Sequence, residues 1–260
     1  MELTHVLYEV RDRVATITLN QPEKRNPLSD AMLRDITASL EQAKQDSEVR
    51  VVILTGAGDK AFCAGADLSG FGGDLSEVQK HLARGRFVDM FLTMEKLGKP
   101  IIGCVNGHAL AGGFGLALAC DLLVAADNAT FGTTEINVGL WPMMIMAIIN
   151  RQLPPKRCME LFMTGERISA EQARDWGLVN TVTTQEDVRD AAWQLAQTLT
   201  TKSPLIMKLG RDAFYAVDGL SYESALRHLQ SQLTLVTLTD DSIEGITAFL
   251  EKREPDFKGR

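Results

Sequence analysis

Runs of apolar and polar positions divide the chain into short segments of two periods. Residues 3–10 and 14–19 read as two strands, with Arg11-Asp12-Arg13 as the polar turn between them. A polar loop with two prolines follows over residues 20–27. Ser29 then stands as an N-cap before Met32, Leu33, Ile36, Leu40 and Ala43, which recur at helical spacing. Residues 51–54 form a short continuous apolar run, the mark of a strand buried on both faces. Thr55-Gly-Ala-Gly58 turns the chain, and Phe62-Cys-Ala-Gly-Ala-Asp67-Leu68 adds a second turn made of small residues. Residues 70–74 read as a mobile loop. Residues 75–97 read as a helix, interrupted near Gly85 and stopped at Gly98-Lys99-Pro100.

The stretch over residues 101–140 organises the rest. An apolar strand-like run (101–105) leads into a glycine-rich turn (106–115), an apolar helical run to Cys120 and another strand-like run (122–126). A lone acidic residue, Glu135, follows among small and apolar neighbours. A glycine-rich turn between a strand and a helix offers bare N–H groups at the positive end of a helix dipole. Such a turn suits a phosphate, or an oxyanion formed during acyl chemistry. Beyond it, residues 141–149 read as a buried helix. Pro154-Pro155 opens another through Phe162, Ser169 caps a short one reaching Trp176, and residues 177–179 read as a helix stop followed by a strand. Helical patterns over 188–199, 204–217, 222–237 and 242–252 lead to a charged tail around Phe257. The order predicts an α/β core of parallel type with an appended helical region.

Composition narrows the function classes. The 260 residues, 45% hydrophobic and 23% charged, suit one large α/β domain or two small ones. A net charge of −7 argues against a dedicated nucleic-acid binder, while leaving room for a local basic pocket. The amino terminus carries no apolar signal-like core and no run is long enough to span a membrane, which points to a cytoplasmic protein. Cys63, Cys104, Cys120 and Cys158 lack metal-ligand spacing and read as buried, reduced thiols.

The two glycine turns each follow a buried strand, so they can lie side by side at one edge of the sheet, where ligands of α/β proteins bind. Two N–H groups from separate turns that converge on one oxygen form an oxyanion hole. Neither turn continues into Gly-Lys-Ser/Thr, and the spacing of Gly107, Gly112, Gly113 and Gly115 does not match a dinucleotide fingerprint. Close packing of strand on helix is the other use of such glycines.

Several motifs together carry a resemblance. Cys63-Ala-Gly-Ala-Asp-Leu68, Asn106-Gly-His-Ala-Leu-Ala-Gly-Gly113, Cys120-Asp121 and Phe131-Gly-Thr-Thr-Glu-Ile-Asn-Val-Gly139 resemble the enoyl-CoA hydratase/isomerase (crotonase) superfamily. So do Asn20-Gln-Pro-Glu-Lys-Arg-Asn26, Leu161-Phe-Met-Thr-Gly-Glu-Arg-Ile-Ser-Ala170 with Gly177-Leu-Val179, and Phe249-Leu-Glu-Lys-Arg253 with Phe257-Lys258, in order over the whole chain. The resemblance implies a spiral core of repeated β-β-α units over residues 1–195. A helical region over 196–260 would then build a homo-oligomer, a trimer or a dimer of trimers. It implies an acyl-CoA substrate, with no metal and no cofactor beyond the coenzyme A of the substrate itself. By motif, the backbone amides of Ala66 and Gly112 would polarise the thioester carbonyl, and Glu135 would be the acid/base, its pKa raised by apolar surroundings.

Two departures stand out. Many hydratases of the family carry a second glutamate two residues past the paired glycines, where this chain has Gly115. Hydration needs a group to hold water, whereas shifting a double bond needs only one base, so Gly115 leaves hydration and isomerisation both open. Trp141-Pro-Met-Met-Ile-Met146 replaces a glycine-rich segment, its methionines serving as core filling or as an adaptable acyl lining. His108 reads as structural. Lys24 and Arg25 are the first candidates for the coenzyme phosphates, and Lys252, Arg253 and Lys258 the next. Ala64, Asp67 and Leu68 would line the coenzyme path. A thioester hydrolase and a non-catalytic CoA-binding scaffold are the alternatives, and nothing basic enough for RNA binding is visible.

Overall fold

The computed structural model describes residues 3–68 and 76–260; the loop expected over 70–74, and Leu75, lie outside the described residues. Its strands are β1 (Val6–Arg11), β2 (Val14–Leu19), β3 (Val51–Gly56), β4 (Ala61–Cys63), β5 (Ile101–Val105), β6 (His108–Leu110), β7 (Leu122–Ala126), β8 (Thr130–Gly132), β9 (Ile168–Ser169) and β10 (Thr181–Thr183). Its helices are α1 (Asp30–Gln45), α2 (Glu77–Glu95), α3 (Gly112–Leu118), α4 (Met143–Ile149), α5 (Pro155–Thr164), α6 (Ala170–Asp175), α7 (Val188–Thr200), α8 (Pro204–Ala216), α9 (Tyr222–Thr237) and α10 (Asp240–Glu251).

β1 and β2 pair antiparallel across Asp12 and Arg13, whose φ values of 46° and 67° match a turn to the right-handed twist of the flanking strands. From β2 onward the main sheet grows by parallel pairing, in the order β1-β2-β3-β5-β7-β10. β3 is buried throughout because both faces are covered, and its side chains alternate between two cores. Val52 and Leu54 join the larger core with α1, whereas Val51 and Ile53 join a smaller one. That smaller core is closed by Val188, Ala192 and Ala196 of α7, spaced every four residues, with two alanines that allow close approach.

A second, four-stranded sheet was not visible in the apolar pattern. Its order is β4-β6-β8-β9, with β4, β6 and β8 mutually parallel and β9 antiparallel. The glycine turns therefore leave this small sheet rather than the edge of the main one, and the turn expected over 106–115 contains β6. Two further expectations are corrected. Helix α2 runs through Gly85 without interruption, started by a capping box of Ser76 and Gln79. Helix α4 is only partly buried: Ile145 and Ile149 face the core, while Met143 is 65% exposed.

An ion pair between buried Arg211 and half-buried Asp121 joins α8 to the core. Arg211 of α8 donates Nε to both oxygens of Asp121 (3.0 and 2.9 Å), and its outer nitrogens to the carbonyls of Glu95 and Met94 at the end of α2. Tyr215 donates its hydroxyl to the same carboxylate at 2.8 Å. All four cysteines are buried and free.

Candidate active site

Three adjacent parallel strands each deliver one candidate residue at their carboxyl ends. Ala66 follows β4, Gly112 follows β6, and Glu135 follows β8. Neighbouring parallel strands open at the same end, which is where α/β ligand sites form. The first two turns interlock. Gly65 has φ 98°, and a Cβ there would stand 2.8 Å from Ala111 Cβ and 3.3 Å from Gly112 N. A Cβ on Gly112 would in turn stand 3.6 Å from Ala66 N. Neither the Ala66 nor the Gly112 N–H donates to another group among the described residues.

Both turns are held from outside. Leu28 N–H donates to Gly65 (2.8 Å) and Ala64 N–H to Arg25 (3.0 Å), so the polar loop straps the first turn. Asn26, fully buried, donates Nδ2 to the carbonyls of Ala61 and Phe62. In the second turn Ala111 adopts φ 50° and ψ −126°, a conformation costing a residue with a Cβ about 1–3 kcal/mol. It is fixed by donation of its N–H to Gly132 (2.8 Å) and by Gly113, where a Cβ would strike the Cys63 carbonyl at 2.2 Å.

Glu135 lies in a 3-10 turn, Thr134–Val138, closed by Gly139 and by donation of Leu140 N–H to the Glu135 carbonyl. Its Oε2 is buried and has no hydrogen-bond partner among the described residues. Burial raises its pKa, opposed in part by its own backbone N–H. The flanking apolar residues Val138 and Leu140 are exposed, 58% and 38%, so they do not supply that burial. An ionisable oxygen kept dry and unpartnered is a costly arrangement for folding and an apt one for taking a proton.

Gly115 does not leave open space. A Cβ there would stand 2.1 Å from Ile145 Cγ2 and 2.6 Å from Ile145 Cβ, so the apolar side chain from α4 fills the position.

Beside the first turn lies a cavity of about 500 Å³ lined by Arg25, Lys60, Ala64, His108, Leu110 and Arg167, among others. His108 thus faces a cavity rather than serving packing alone. Its Nδ1 meets Thr130 Oγ1 at 2.9 Å, and burial, Arg167 and Arg25 lower its pKa. Of the basic candidates only Arg25 lines this cavity; Lys24 does not. Arg253 pairs with Glu244 and Glu251, and Lys258 with Asp256. Asp67 donates its N–H to Leu28 at 3.3 Å, and Leu68 is 48% exposed. Sequence reasoning missed Lys60 and Arg167, which only the small sheet brings together; Arg167 stood inside one of the quoted motifs. A larger groove of about 1580 Å³ lies away from the glycine turns, between α2, α4, α8 and α10. No group of three metal-ligating side chains occurs among the described residues, and none of their helices is long and apolar enough to cross a membrane.

A family model described as enoyl-CoA hydratase/isomerase matches residues 9–260. The 2,3-dehydroadipyl-CoA hydratase of Escherichia coli K12 is 34% identical, the match covering 99% of this chain and 100% of that protein. The carnitinyl-CoA dehydratase of Citrobacter koseri is 36% identical, covering 95% of each. The crystal structure of enoyl-CoA hydratase from Bacillus anthracis superposes with a TM-score of 0.93 at 34% identity, covering 99% of this chain and 100% of that one.

Proposed function

The chain belongs to the enoyl-CoA hydratase/isomerase family of enzymes acting on acyl-CoA thioesters, and from that premise we propose that it shifts a double bond along an enoyl-CoA with Glu135 as the only acid/base. The observation that supports this reading is that the Ala66 and Gly112 amides, which donate to nothing among the described residues, follow the ends of strands neighbouring the one that leads to Glu135, whose Oε2 has no partner among them.

In the proposed step, the thioester oxygen accepts from both amides. Glu135 removes a proton from the α-carbon of a 3-enoyl thioester. The C–H electron pair forms a C1=C2 bond while the carbonyl π pair moves onto the thioester oxygen, giving a dienolate; as the carbonyl re-forms, the C1=C2 pair becomes C2=C3 and the C3=C4 pair takes a proton from Glu135 at C4. Glu135 returns a proton, which exchanges with solvent while the carboxyl holds it, so atoms and electrons balance without water as a reactant and without a cofactor. The amides act where negative charge develops, which is the differential stabilisation that speeds a reaction. The basic cavity at Arg25, Lys60 and Arg167 adjoins Ala64 and suits the coenzyme phosphates. The exposed apolar residues of α8, α9 and α10, among them Phe214, Leu233 and Phe249, support a homo-oligomer that covers them with other copies of the chain.

A second reading, hydration or dehydration, draws on the relatives at 34–36% identity, which are named as a hydratase and a dehydratase. Incubation of 2-enoyl-CoA and 3-enoyl-CoA thioesters in ¹⁸O-water and in deuterium oxide separates the two. Deuterium at carbon without ¹⁸O supports isomerisation, and an ¹⁸O-labelled hydroxyacyl product supports hydration. Release of free coenzyme A thiol would indicate a hydrolase, and an absence of turnover despite coenzyme A binding a scaffold.

A further inference from the structure

Gly112 and Gly115 are three residues apart on α3 and so share one face of the helix. At Gly112 that face looks onto the Ala66 amide; one turn further on it looks onto Ile145. Ile145 is 4% exposed, whereas its neighbours Met144 and Met146 are only half-buried. A β-branched side chain in a helix holds essentially one rotamer, so this wall is stiff where methionine would yield. It also has no polar atom. A buried water needs two or more polar partners, and neither Gly115 nor Ile145 has a side chain that offers one.

We infer that Ile145 is a specificity-determining residue: its side chain occupies the space where water would have to be held beside the enolate, and so directs the proton of Glu135 back to carbon. This rests on the proton-shuttle reading of Glu135 and adds the reason why water does not intervene. The residue does not touch protons itself; it acts by filling space that a polar side chain at position 115 would need.

The test compares wild type, Ile145→Ala, and the double variant Gly115→Glu with Ile145→Gly, each given 3-enoyl-CoA in ¹⁸O-water. The wild type is expected to yield unlabelled isomer. Ile145→Ala should give ¹⁸O-labelled hydroxyacyl product beside the isomer, and the double variant a larger share of it. Folding is followed separately. Gly115→Ala alone should lower Tm, because its Cβ meets Ile145, and adding Ile145→Ala should restore most of the loss. A Gly115→Ala protein as stable as wild type would show that Ile145 does not fill the space, and would overturn the inference. Folded variants that yield only unlabelled isomer, as the wild type does, would overturn it alone. A labelled wild-type product would overturn the proton-shuttle reading and this inference together.

Discussion

Gly112 faces the amide of Ala66 across the gap between the two turns, close enough that a methyl group on Gly112 would stand 3.6 Å from Ala66 N. The same methyl would meet Leu28 Cδ1 and Phe87 Cε1 at 3.4 Å, which is ordinary contact, so the fold has room for it. Gly112→Ala is therefore expected to leave Tm near wild type, helped by the better helix propensity of alanine. It should also crowd the oxygen between the amides. A fall in kcat of about 10²-fold, the scale of losing one oxyanion donor, is the expected kinetic outcome.

Glu135 should make stability depend on pH in a particular sense. Its folded pKa is raised by burial above the unfolded value, so the folded state binds the proton more tightly. Stability from this group is fully present below the unfolded value of about 4.3 and is lost as pH rises towards the raised folded value. Glu135→Gln removes the loss. Its Tm should exceed that of wild type at neutral pH, and the advantage should vanish in acid; equal Tm differences at both pH values would argue against a desolvated carboxylate.

Arg25, Lys60 and Arg167 share one cavity with Ala64, and a phosphate there would be met by charge-assisted hydrogen bonds. Arg167→Ala should raise KM for a coenzyme A thioester roughly 10- to 100-fold, the worth of one such contact, with kcat nearly unchanged. For the matching pantetheine thioester, which lacks the nucleotide, KM should not move. An equal rise with both substrates would place the nucleotide elsewhere.

Asp121 and Arg211 tie α8 to the core. Burial and Asp121 raise the pKa of the Tyr215 phenol, so it stays protonated and keeps donating to that carboxylate. Arg211→Met would leave Asp121 with Tyr215 and the Ile101 N–H as its partners among the described residues. Urea unfolding should show a loss of about 2–3 kcal/mol, below that of breaking a fully buried ion pair because Asp121 is half-buried.

Much of the main sheet was legible because local and global signals agree there. Ser29 accepts from Met32 N as its position before the apolar repeat foretold, and β3 is as buried as its unbroken run required. The small sheet was illegible because β4, β6 and β8 are only three residues long and run directly into turns, too short to show a period. The motifs named Ala66, Gly112 and Glu135 as candidates, and the topology places them beyond the carboxyl ends of three adjacent strands. What fills the position of Gly115 could not be read from the chain, because Ile145 reaches it through tertiary packing of α4 on α3. The cavity of Lys60, His108 and Arg167 is likewise a product of strand order and not of spacing.

The central claim is that Glu135 moves the proton, and Glu135→Gln tests it most directly. The amide keeps the size of the side chain and cannot accept a proton at this site. With the enoyl-CoA isomer that wild type turns over, the variant should lose at least about 10²-fold in kcat, the lower bound for a general acid–base group, while still binding substrate. It should also stop exchanging the α-proton with deuterium oxide. A variant that keeps wild-type kcat and exchange would contradict the account.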